Sequence, residues 1–246
     1  MTRASIRPIN ILIGILFCVR VDAQFNDTVH HYVNFVSTGS INSTSSGKTY
    51  LMNNSIRYSE KHQKFRFNTL ANYTYGAQDK NLTNNDFTAT VDGDLYHRNK
   101  RFFWWVLSNY TTSYSLKIVN QFQTGAGAAY SIYDTTYAWL NVSDGILYEK
   151  GDLFIDTLHD RYNTFRNSFR LLFKFRIKDM FIFEGQNYLQ TSFADISDYI
   201  IKVNFLLTIQ LKKWLGLTAG LTYNNFNRTN RENLFFNYGL RLEKYF

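Results

Sequence analysis

The chain has 246 residues, 18% of them aromatic and 45% hydrophobic, with a formal net charge of +8 and a mean hydropathy of −0.30. So many aromatics exclude a disordered chain, and the lack of an internal apolar run near ~20 residues excludes a helical membrane bundle. The abundance of Phe, Tyr and Thr favours strands over helices.

At the N-terminus, Arg3 and Arg7 give a basic start, residues 9–19 are almost wholly apolar, and Ala23 precedes Gln24. This order predicts a secretory signal peptide over residues 1–23. An uncleaved anchor is disfavoured, since about ten apolar residues are too few to span a bilayer. A lipidated Cys18 is disfavoured by the bulky Phe17 before it. Removing Arg3, Arg7, Arg20 and Asp22 takes 27 basic and 19 acidic residues to 24 and 18, so the net charge falls from +8 to +6. The only Cys and the only Pro leave with the same segment. An exported domain over 24–246 then has no disulfide and offers every backbone N–H to a hydrogen-bond ladder.

Beyond Gln24 the main signal is alternation with a period of two. Phe65, Phe67, Thr69, Ala71, Tyr73 and Tyr75 share one face, set against Arg66, Asn68, Leu70, Asn72 and Thr74. Phe165, Phe169, Leu171, Phe173 and Phe175 are set against Arg166, Ser168, Arg170, Lys174 and Arg176. Tyr199, Ile201, Val203, Phe205, Leu207 and Ile209 are set against Lys202, Asn204, Thr208 and Gln210. Such segments predict about twelve strands, near 31–44, 49–59, 64–76, 86–97, 101–113, 118–132, 136–149, 162–176, 180–193, 199–211, 214–225 and 233–246. Short turns are expected at 60–63, 97–100, 133–135, 178–179 and 212–213, with longer polar loops at 77–85, 150–161, 194–198 and 225–233.

Strands with one greasy and one polar face, joined alternately by short turns and longer loops, predict an all-β transmembrane antiparallel β-barrel of about 12 strands. Aromatics gathered at strand ends, such as Trp104 and Trp105 after a basic turn, fit interfacial girdles. Phe246 closes an amphipathic strand with Tyr238, Leu240 and Leu242 on one face, although Lys244 interrupts it. A terminal Phe in that setting is expected to act as the barrel-insertion signal, read by the barrel assembly machinery. A soluble exported β-sandwich is the structural alternative.

The stretch Gly125-Ala126-Gly127-Ala128-Ala129-Tyr130, followed by Ser143-Asp144-Gly145-Ile146-Leu147-Tyr148-Glu149, resembles the salt-induced outer-membrane protein family of bacteria. Arg166-Asn167-Ser168-Phe169-Arg170 and Asp195-Ile196-Ser197-Asp198-Tyr199 are similar to that family's later strands. The resemblance covers roughly residues 30–246. It implies an outer-membrane location and no transferable activity, because its motifs are strand and turn marks.

Chemistry is sparse. His30, His31, His62, His97 and His159 fall near the start of the exported chain, in turns or in a loop, and none stands mid-strand beside a Ser. They are expected to be surface residues, and His30 with His31 lacks a third metal ligand in sequence range. No catalytic residue, cofactor or metal is expected. Lumen-facing charge is more informative: Asp86, Asp92 and Asp94 on one strand, Arg166, Arg170, Lys174 and Arg176 on another, Arg241 and Glu243 on the last. These predict either a pore with one acidic and one basic wall or a lumen plugged by pairing between the walls. The plugged reading is preferred, because twelve strands enclose a narrow lumen.

Basic residues elsewhere, such as Lys61, Lys64, Arg101, Lys178, Lys212 and Lys213, are spread among turns. That suits contact with outer-membrane lipid head groups and no nucleic-acid partner. The sequons at Asn26, Asn42, Asn72, Asn81, Asn109, Asn141 and Asn227 follow from the abundance of Asn and Thr. The expected function is an outer-membrane barrel of unknown substrate, with an envelope accessory role or a narrow pore for a small solute. A lipid-acting barrel enzyme is the alternative.

Overall fold

A computed structural model describes residues 30–43, 47–96, 101–155 and 158–246. The predicted signal peptide with Cys18, the sequon at Asn26, and His97 with the basic turn after it lie outside the described residues.

Twelve strands follow in chain order: β1 (His31–Ser43), β2 (Lys48–Lys61), β3 (Phe65–Gln78), β4 (Asn81–Tyr96), β5 (Phe102–Ser113), β6 (Ile118–Asp134), β7 (Ala138–Ile155), β8 (Leu158–Ile177), β9 (Phe181–Ser192), β10 (Tyr199–Lys212), β11 (Leu215–Phe226) and β12 (Arg231–Tyr245). Each pairs antiparallel with its chain neighbours, and β1 pairs with β12 to close the ring. Closure leaves no sheet edge unpaired. The barrel is also stitched where its ends meet: His31 and Phe246 exchange both backbone hydrogen bonds, at 2.9 and 3.0 Å.

Alternation sorts the side chains to two solvents. Ile56, Val91, Val106 and Ile146 point outward at mid-height and are exposed. Phe65, Trp104, Tyr130 and Phe183 do so near the end where β1 begins and β12 finishes (the terminal end), and Tyr73, Tyr75, Phe87 and Tyr110 near the opposite, far end. Inside, Asn34, Thr38, Asn109, Gln123, Ser143, Gln190 and Thr208 are buried. A greasy exterior around a polar interior inverts a soluble protein, and only a bilayer satisfies it. The sandwich alternative is therefore replaced by a closed membrane-spanning barrel.

The connections correct one expectation. The segments at 77–85 and 150–161 were expected to be long loops, but strand pairing runs through most of both. Asp79 and Lys80 alone join β3 to β4, with φ of 49° and 70°. Two consecutive left-handed residues form the primed turn whose twist matches a two-residue hairpin. Asp79 adds a side-chain acceptor, taking the Lys48 backbone N–H at 2.7 Å. Strands of 18 and 20 residues in β7 and β8 exceed what a bilayer requires. Their far ends stand clear of it, so they need no apolar face and look like loop in sequence.

Candidate functional site in the barrel lumen

The structure places the charged residues predicted to face inward in three layers along the barrel. Near the terminal end, Arg241 of β12 holds Glu184 of β9 in an ion pair across three strand positions. Arg241 also lies 3.3 Å from Glu243, and Lys174 reaches Glu184 at 3.2 Å. The Tyr32 hydroxyl accepts from Arg241 at 2.9 Å and donates to Glu243 at 3.1 Å. Around the wall, Arg66 meets Asp94 at 2.5 Å, with its guanidinium 5.4 Å from the Trp139 ring centroid. Arg176 sits 3.9 Å from Asp179 in the β8–β9 turn.

At mid-height, Arg170 stacks on Trp105, 4.0 Å from the ring centroid, and donates to Ser143 Oγ at 3.0 Å. Asp92 accepts from Asn68 at 2.7 Å.

Near the far end, Arg166 is fully buried between Glu149 at 2.9 Å and Asp198 at 2.8 Å. Glu149 also accepts from Gln123 at 2.5 Å and from the Tyr162 hydroxyl at 2.6 Å. Asp86 takes four hydrogen bonds, from Asn84 at 3.0 Å, Ser113 at 2.8 Å, and the Ser115 backbone and hydroxyl at 3.1 and 2.7 Å.

The acidic strand and the basic strand are thus not each other's partners. Asp94 finds Arg66 directly opposite on β3, and Lys174 finds Glu184 directly opposite on β9. Facing residues on paired strands stand about 5 Å apart, which favours these two local pairs, although Glu184 is also reached by Arg241 from three strands away. Glu149 and Glu184 were missed as partners. Glu149 lies in the quoted Ser143–Glu149 stretch, and inward alternation along β7 marks it.

Apolar side chains gather at the far end. Leu116 from the β5–β6 turn, Ile118, Leu153, Ile200 and Phe226 form one buried cluster. Ile118 faces Leu153 on β6–β7, and Ile200 faces Phe226 on β10–β11. β8 and β9 lie between those hairpins in the ring, so the contact is made over the mouth of the lumen. Asn233 on β12 donates to Ser115 Oγ at 3.1 Å, tying opposite walls. A 3-10 turn at Asn227–Thr229 covers the same mouth. Its Arg228 pairs with Asp160 at 2.9 Å and Asp198 at 3.3 Å, over the Tyr162 ring at 3.9 Å. Sequence reasoning missed this plug because its residues are apolar on the polar face.

Below the plug is a cavity of about 300 Å³, bounded by Leu116 and Phe226 above and by Tyr32, Glu184 and Arg241 below. Most of its lining side chains carry an amide or a hydroxyl, set among apolar surface from residues such as Val36, Leu107, Leu206 and Phe235.

The histidines gather at the terminal end more than expected. His30 and His62 stack at 5.0 Å, His31 Nδ1 lies 2.9 Å from the Tyr58 hydroxyl, and His62 lies 2.8 Å from Glu60. Among the described residues, no group of three or more His, Cys, Asp or Glu is arranged to hold a metal.

Residues 36–234 match a protein family of unknown function, DUF481. The chain belongs to this family. DUF481 brings no activity with it, so the barrel's own geometry carries the functional reading. No curated protein matches the sequence. Among solved structures, this DUF481 barrel is similar to an outer membrane channel from Pseudomonas putida F1, with 12% identity and a TM-score of 0.52 over 92% of this chain and 98% of that one. It is also similar to the NanC porin, with 11% identity and a TM-score of 0.50 over 85% of this chain and 97% of that one. At such identities the likeness establishes the fold, that of outer-membrane β-barrels.

Proposed function

We propose that the protein is an outer-membrane barrel whose lumen is closed at rest: an accessory or gated envelope component, not an open diffusion pore and not an enzyme. The observation that carries this is the cluster of Leu116, Ile118, Leu153, Ile200 and Phe226 over the far mouth. Apolar constrictions stop conduction by excluding water, and this one is braced by Arg228 and by the Asn233–Ser115 hydrogen bond. In this reading the exterior aliphatic belt contacts outer-membrane lipids, export uses residues 1–23, and the assembly machinery reads the last strand ending in Phe246.

Single-channel recording in planar bilayers tests it. The wild-type barrel is expected to show no steady conductance, and Phe226→Ala or Leu116→Ala to show discrete openings. A stable wild-type open state would overturn the reading. Salt induction belongs to the same proposal: abundance in the carbonate-washed outer-membrane fraction should rise several-fold at high salt. Equal abundance at low and high salt would remove that element alone.

A further inference from the structure

We infer that the cavity beneath the plug is a binding site for a small organic anion rich in hydroxyls, a carboxylate of sugar-acid size, selected by Arg57 and Lys202. The inference rests on the closed-lumen reading and deepens it.

The charges on the cavity wall do not all cancel. Five charged side chains line it: Arg57, Asp86, Glu184, Lys202 and Arg241. Glu184 and Arg241 are paired with each other. Asp86 keeps its negative charge, but its oxygens are occupied by four hydrogen bonds from neutral donors, so the five side chains leave the wall at a net +1. Arg57 on β2 and Lys202 on β10 remain. Among the described residues neither has a carboxylate within ion-pair distance, although both are half-buried. The Lys202 ammonium instead faces the Phe226 ring, 5.3 Å from its centroid.

Burying a cation without a counter-charge is costly, and two of them on one small cavity make a ready place for an anion. β1, β11 and β12 lie between β2 and β10 in the ring, so the two cations approach the cavity from different sides. A ligand bridging them needs some length.

The rest of the wall sets the ligand's other chemistry. Asn34, Asn53, Asn72, Asn204, Thr90 and Gln186 offer donors and acceptors together. Such a surface suits hydroxyls, which also donate and accept. A volume of about 300 Å³ lies at the lower bound for small-molecule sites, which favours a single sugar-sized molecule over an oligomer.

Calorimetric titration of the folded, detergent-solubilised protein tests this with three probes: glucuronate, glucose and acetate. Wild type, or Leu116→Ala with its mouth widened, should bind glucuronate at least tenfold tighter than either of the others. The double variant Arg57→Gln/Lys202→Gln, checked for heat-modifiable migration, should lose at least tenfold for glucuronate. Lys178→Gln in an outer turn should match wild type. The site is overturned if glucose or acetate binds as well as glucuronate, or if neither the wild type nor Leu116→Ala gives saturable binding. Unchanged affinity in the double variant would also overturn it. Should the double variant not fold, the probe comparison on the wild type decides alone. A conducting wild-type barrel that still selects glucuronate would refute the closed mouth and leave the site standing. A silent barrel that binds none of the probes would refute the site only.

Discussion

The guanidinium carbon of Arg170 lies 4.0 Å from the centroid of the Trp105 ring, and that ring presses on two glycines of the facing hairpin. A Cβ added to Gly127 or to Gly145 would stand 2.5 Å from Trp105 Cζ2, with backbone atoms of the paired strand as near. Trp105 is 1% exposed, so a bulky aromatic is folded into the lumen where only glycine leaves room. The Gly125–Tyr130 and Ser143–Glu149 stretches, quoted above as marks of strands and turns, thus make a berth for an inward Trp.

The first prediction follows from that berth. Gly145→Ala should destabilise the barrel by about 1–3 kcal/mol, the usual cost of overpacking a filled interior. Gly93→Ala is the control, since its Cβ would meet Val106 Cγ2 at an ordinary 3.5 Å. Urea unfolding in detergent, followed by tryptophan fluorescence, should show a lower midpoint for Gly145→Ala and nearly none of that shift for Gly93→Ala. Equal midpoints would mean that the ring moves aside freely.

Arg166 and Glu149 are buried together at 2.9 Å, which sets the second prediction. Glu149→Gln keeps the shape but leaves the guanidinium with Asp198 as its one carboxylate. Breaking a buried pair on one side costs about 3–5 kcal/mol, and the partial compensation by Asp198 puts the expected loss at the lower end. Arg161→Ala, which breaks the pair with Asp152 at 3.1 Å from a largely exposed side chain, should cost at most about 1 kcal/mol. The difference between the two unfolding midpoints is the measurement.

How much of this was legible in the sequence depends on what an alternating pattern can carry. A period of two says which way Asp94 and Arg166 point, since one face must meet lipid. It says nothing of partners: Asp94 meets Arg66, and Arg241 meets Glu184, because of inter-strand register and ring closure. Where a strand leaves the bilayer the apolar face disappears, so residues 81–85 and 158–161 look like loop although they are paired. The plug breaks the pattern in the other direction. Ile200 and Phe226 are greasy on the wet face, and only the closed barrel brings them to Leu116.

The hairpin turn of Asp79 and Lys80 gives the third prediction. Lys80 holds φ of 70°, a left-handed conformation that costs a residue bearing a Cβ about 1 kcal/mol or more. Glycine removes that cost and pays back part of it in chain entropy. Lys80→Gly should therefore stabilise by something under about 1 kcal/mol, whereas Asp79→Gly should not, because Asp79 accepts the Lys48 N–H. Opposite shifts in the unfolding midpoint would show that the acceptor matters more than the turn angle.

Arg228 decides the fourth. Its guanidinium joins the 3-10 turn to Asp160 on β8, to Asp198 in the β9–β10 loop and to the Tyr162 ring. These contacts hold the cover over the mouth but contribute little to the barrel wall, whose stability lies in its ladder and lumen layers. Arg228→Gln should leave the unfolding midpoint near that of the wild type. Its effect should appear in bilayer recordings as more frequent brief openings. A half-exposed pair contributes up to about 1 kcal/mol, which corresponds to an increase of up to about fivefold in open probability. Arg231→Gln, one strand position beyond the turn and without an ion pair among the described residues, serves as the charge-matched control. If both variants open equally, the effect is one of net charge at the mouth, and the Arg228 brace is not what holds it shut.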